Sequence, residues 1–171
     1  MKIIFLDIDG VLNTSETKEP IDLNKVKHLS TIVKSTGAKI VLSSSWKILN
    51  DPNFPGYAEY LYLTECLASE GLSIIDQTPG PCHNRPREIR QWLEQHPHVL
   101  SWVSLDDDFR PDQYTSEGLD SDRLIKTSYS GSYAGLCEDH IAWAIAILND
   151  ELDYPSRFFN SIPDIERSIY E

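Results

Sequence analysis

Basic side chains are scarce in this chain: 15 Lys and Arg stand against 27 Asp and Glu, for a formal net charge of −12. A protein that grips polyanions regardless of sequence needs clustered cations to displace counterions. Tight nonspecific nucleic-acid binding is therefore excluded as the main activity, although one or two local cations would suffice to hold a single phosphate. Long apolar runs are also missing. Only Ile3, Ile4, Phe5 and Leu6 precede the first acid, Asp7; that is too short for a signal-peptide core, and no later stretch reaches membrane-spanning length. The three cysteines, Cys66, Cys82 and Cys137, cannot all pair internally and have no metal-ligand spacing. They are expected as buried or incidental thiols. These absences predict a cytoplasmic protein with no membrane span, unconventional secretion aside. Repeats, low-complexity tracts and interdomain linkers are absent as well.

What is present is the composition of an ordinary globular domain, 40% hydrophobic and 25% charged over 171 residues. Residues 3–6 form a short, wholly apolar run, as expected of a strand buried on both faces of a parallel sheet. Residues 21–34 place apolar side chains at helical spacing with Gly37 as a stop, and residues 39–42 form a second buried strand. Strand, helix and strand in about forty residues make a βαβ unit with a right-handed crossover. Further helices are expected at 57–70, 88–95 and 137–148, and further strands at 72–75, 99–105 and 123–127. Residues 78–86 carry three prolines and a glycine and predict a loop. The alternation predicts an α/β fold: a three-layer αβα sandwich around a mainly parallel, Rossmann-like sheet. One domain covers 1–150, and 151–171 form a tail that packs on it or docks a partner.

Polar clusters fall at the carboxyl ends of the expected strands. Asp7 and Asp9 follow the first, Ser43, Ser44 and Ser45 the second, and Asp106, Asp107 and Asp108 the fourth. Open α/β sheets bind ligands at that edge, where strand order reverses. Two carboxylates one residue apart, joined by an acid from another strand, form a hard-oxygen cage suited to Mg²⁺. Asp9 sits in a different field from Asp7 and is suited to carrying a proton. Gly10 lets the chain turn sharply there.

Asp7-Ile8-Asp9-Gly10-Val11-Leu12-Asn13 after a buried strand resembles motif I of the haloacid dehalogenase (HAD) superfamily. The other motifs follow in order. Ile40-Val41-Leu42-Ser43-Ser44 resembles motif II. Arg85 is the best match to the motif III cation, with Arg87 and Arg90 as alternatives. Val103-Ser104-Leu105-Asp106-Asp107 resembles motif IV. The resemblance implies that Asp7 is a nucleophile forming an aspartyl-phosphate and a Mg²⁺ ligand. It implies that Asp9 is general acid and then base, with its carbonyl on the metal. Ser44, or Ser43 in the other register, would bond the phosphoryl group, and Arg85 would neutralise phosphate and hold Asp7. Asp107 would be a further Mg²⁺ ligand, supported by Asp106. An Asp at position 9 favours phosphomonoester hydrolysis over the superfamily's other chemistries.

The spacing between motifs leaves no room for a substantial cap, so the site is expected to be open. The local pattern around Trp46, Arg85 and Asp107 is similar to small capless members, including HAD domains associated with nucleic-acid repair proteins. The implied partner is a phosphorylated substrate: a phosphoprotein, for instance a phosphotyrosyl one, a nucleotide or nucleic-acid end, or a small molecule. Trp46 is expected to stack on such a ring or, more simply, to pack in the core. Two other classes fit less well. A receiver-type signalling domain places its phosphorylated Asp after a middle strand, where Ser43-Ser44-Ser45 stand here. A catalytically silent relative would bind Mg²⁺ without turnover.

Overall fold

The computed structural model describes residues 1–81 and 83–150. Cys82 and the 151–171 tail, with the docking role expected of it, lie outside the described residues. Five strands form one all-parallel sheet in the order β3-β2-β1-β4-β5: β1 Lys2–Leu6, β2 Lys39–Leu42, β3 Ile74–Gln77, β4 Ser101–Asp106 and β5 Leu124–Lys126. Helices α1 Leu23–Thr36, α2 Tyr57–Ser69, α3 Arg85–Gln95, α4 Pro111–Ser116 and α5 Glu138–Leu148 cover the two faces.

Period-two alternation along β1 builds both cores. Ile4 and Leu6 point to one side and pack with Val26 and Leu29 of α1, Leu63 and Leu67 of α2, and Ala144 and Ile147 of α5. Ile3 and Phe5 point to the other, against Ile89 and Trp92 of α3 and Tyr114 of α4. The Phe5 ring meets Trp92 edge-on at 5.4 Å and Trp102 at 5.8 Å. Right-handed crossovers explain the sorting: steps from β1 towards β3 put helices on one face, and the return through β4 to β5 puts α3 and α4 on the other. The outcome is the expected three-layer α/β sandwich, with no large cap. Among the described residues no helix is long and apolar enough to cross a membrane.

Local chemistry sets the element ends. The Asp22 side chain accepts the Asn24 N–H at 2.8 Å to start α1, and Gly37, at φ 69°, ends it by donating to Val33 O. The sequence misplaces three features. The third strand runs over Ile74–Gln77 rather than 72–75, because Leu72 closes α2 by donating to Leu67 O and an edge strand tolerates polar Asp76 and Gln77. Helix α3 begins at Arg85, not at residue 88. The Asn84 side chain caps it by accepting from Arg87 N–H, and Pro86 is tolerated in a first turn. Helix α4 and the 3₁₀ turns Ser45–Leu49 and Ser121–Arg123 are too short to show periodicity. Tyr114 anchors α4 by donating its hydroxyl to Ser104 Oγ at 2.7 Å inside the core.

Candidate active site

The register aligns Leu6 with Leu42 on one side and Leu105 on the other, so Asp7, Ser43 and Asp106 emerge level at the carboxyl edge. Backbone bonds continue past the strands: Asp7 N–H donates to Leu105 O at 3.0 Å, and Ser43 N–H to Leu6 O at 2.8 Å. Strand order reverses at β1, which places Asp7 at the crevice where open α/β sheets hold ligands.

Asp7 is buried. Its Oδ1 accepts the Ile8 N–H at 2.8 Å, and its Oδ2 is paired with Arg85. The same Arg85 nitrogen donates to Asp106 Oδ2 at 2.7 Å, and its guanidinium lies 5.3 Å from the centre of the Phe109 ring. Asp106 spends its other oxygen on the backbone, accepting from Asp108 N–H and Phe109 N–H at 2.8 and 3.1 Å. Burial opposes the charge on Arg85, but Asp106 and Asp7 outweigh it and raise its pKa further. The first turn of α3 thus delivers a fixed cation between two carboxylates.

Asp107 is half-buried beside them. Lys126, at the end of β5, donates to its carbonyl at 2.6 Å and so ties the β4 terminus to the neighbouring strand. Asp7, Asp106 and Asp107 each bring a carboxylate oxygen within 4.8 Å of the others. One arginine does not balance three such acids. Burial, then repulsion from Asp106, pushes Asp7 up to about 7 despite the pull of Arg85, Ser44 and Ile8. Burial and Asp106 likewise raise Asp107 to about 6, against Arg85 and Lys126. Crowded hard oxygens with surplus negative charge fit a divalent cation such as Mg²⁺. Gly10, at φ 68°, belongs to the same arrangement: a Cβ there would lie 2.1 Å from Asp107 Cγ. Thr127 holds that turn by donating to Gly10 O at 2.7 Å.

Asp9 stands apart from the three-acid cluster, on the exposed side. Its Oδ2 accepts the Trp46 indole N–H at 3.0 Å and its Oδ1 accepts from Asn13 Nδ2 at 2.9 Å. Ser44 is buried beside Asp7, where its hydroxyl favours the ionised carboxylate, and its oxygen accepts the Trp46 backbone N–H at 3.3 Å. Ser43 is equally buried, but its Oγ has no hydrogen-bond partner among the described residues. Arg87 and Arg90 do not enter the site; both pair with Glu117 on the outer side of α3. The residues that sequence alone does not pick out are Asn13 and Trp46 as donors to Asp9, Phe109 under Arg85, and Lys126 and Thr127 behind the acids. Lys126 and Thr127 carried a usable signal, since they too close a strand at the carboxyl edge.

No curated protein and no solved structure matches the chain. A family model does: that of the HAD domain in Swiss Army Knife RNA repair proteins, over residues 3–141. That span runs from β1 into α5 and includes every site residue named above. The crevice of acids around Asp7 and this match agree, and the chain belongs to the HAD superfamily, in the family of HAD domains found in Swiss Army Knife RNA repair proteins.

Proposed function

We propose that the protein is a Mg²⁺-dependent phosphomonoester hydrolase working through an aspartyl-phosphate on Asp7. One observation carries the reading: Asp7 is buried against Arg85, with Asp106 and Asp107 within 4.8 Å and the separately held Asp9 two residues on. Asp7 attacks phosphorus, so a bond forms from its carboxylate oxygen as the bond to the ester oxygen breaks. Asp9 gives a proton to that departing oxygen. Water then attacks the same phosphorus, Asp9 takes the water proton, and the Asp7 carboxylate leaves. Ser44 and Arg85 hold the phosphoryl oxygens and keep Asp7 aimed. Asp7, Asp107 and the Asp9 carbonyl, backed by Asp106, would hold Mg²⁺, which supplies positive charge against the phosphoryl oxygens.

The substrate class we propose is a phosphorylated RNA end or nucleotide. The family description supports it, and so does the lack of a large cap over the carboxyl edge. A net charge of −12 favours reading one terminal phosphate over gripping the backbone. The test is turnover of p-nitrophenyl phosphate with Mg²⁺ or EDTA, beside Asp7→Asn, followed by end-phosphorylated oligoribonucleotides and a phosphotyrosyl peptide. Turnover is expected with Mg²⁺ only, falling about 10³-fold or more in the variant, with the oligoribonucleotide preferred to the peptide. Equal activity in Asp7→Asn refutes the chemistry, and preference for the peptide refutes the substrate class.

A further inference from the structure

An exposed aspartate on a loop ordinarily moves among rotamers. Asp9 is exposed, yet both of its oxygens are engaged, Oδ2 by the Trp46 indole and Oδ1 by the Asn13 amide. Both donors are themselves fixed. Trp46 lies in the turn Ser45–Leu49, its backbone N–H bonded to Ser44 Oγ and its ring packed against the main core. Asn13 also donates to Pro20 O at 3.1 Å and accepts the Gly10 N–H at 3.2 Å. Asp9 is thus fastened from the turn after the second strand on one side and from its own loop on the other.

The choice of donors matters for a group that exchanges protons. An indole N–H and an amide NH₂ donate only, and neither nitrogen accepts a proton. They occupy one lone pair on each Asp9 oxygen and leave the others to be aimed. We infer, on the basis of the hydrolase reading, that Trp46 is a positioning residue for proton transfer. Its indole fixes the Asp9 carboxyl against the departing ester oxygen, with Asn13 as the second fastening. The proton moves from Asp9 to that oxygen, which keeps the electron pair of the broken P–O bond; Trp46 itself moves none.

A general acid matters more as the leaving group becomes poorer. Nitrophenolate departs with little help, whereas phenolate needs the proton. The experiment compares kcat/KM for p-nitrophenyl phosphate and phenyl phosphate in the full Mg²⁺-supplied protein. Wild type, Trp46→Phe, Asp9→Asn and the double variant are measured; phenylalanine keeps apolar packing and drops the N–H. Trp46→Phe is expected to lose about tenfold or more on phenyl phosphate and under about threefold on the nitrophenyl ester. Added to Asp9→Asn, it costs nothing further on phenyl phosphate. Asn13→Ala shows the same bias, and stands in should Trp46→Phe not fold. Equal losses on both esters, or additive losses in the double variant, overturn the role of Trp46 alone. Wild-type protein that hydrolyses neither ester removes the hydrolase reading and this proposal with it.

Discussion

Asp7 and Gly10 show how single residues at the site trade stability for chemistry. An ordinary aspartate releases its proton near 3.8, but burial and Asp106 push Asp7 up to about 7. Between those values the folded, metal-free chain holds a proton that the unfolded chain has lost. The native state binds more protons, so this contribution to stability falls as pH rises through the window, at most by about 1.4 kcal/mol per pH unit. Asp7→Asn does not ionise, so in EDTA its stability advantage over wild type is expected to grow from pH 5 to pH 8. Denaturant melts at the two pH values check this, and a shrinking advantage contradicts it. At Gly10, an alanine needs a left-handed backbone and drives its Cβ into Asp107. Gly10→Ala is expected to lose about 1–2 kcal/mol of stability and about tenfold or more in Mg²⁺ affinity, read by calorimetric titration. Unchanged affinity contradicts the placement of Asp107 against that turn.

At the scale of elements, strands announced themselves and caps did not. The buried runs of β1, β2 and β4 end in acids or serines, so Asp7, Ser44, Asp106 and Asp107 are legible in the sequence as one edge. The start of the helix that delivers Arg85 reads as loop up to residue 86, because three prolines and a glycine mask a capped first turn. Asn84 makes that turn, and its side-chain amide also donates to Glu117 Oε1 at 2.9 Å. Asn84→Ala is expected to cost about 1 kcal/mol and to lower kcat several-fold by loosening Arg85. A stability loss with kcat unchanged shows instead that Arg85 is held by its two carboxylates without help from the cap. The Trp46–Asp9 bond was not legible for a different reason. It joins side chains 37 positions apart, and neither periodicity nor composition reports on such a contact.

Across the whole molecule, sheet order does the assembling. Reversal at β1 brings the ends of β1, β2 and β4 together, and the crossovers leave α3 free to reach over that crevice from the opposite face to α1. This much follows from parallel strands and right-handed connections. Covalent chemistry at Asp7 is the claim on which the functional reading turns. It is tested most directly by quenching Asp9→Asn in acid after a burst with p-nitrophenyl phosphate, because slowed hydrolysis lets an intermediate accumulate. Peptide mass analysis should find one phosphate, labile to hydroxylamine, on Asp7. Phosphate on another residue, or turnover with no phosphorylated peptide, contradicts it.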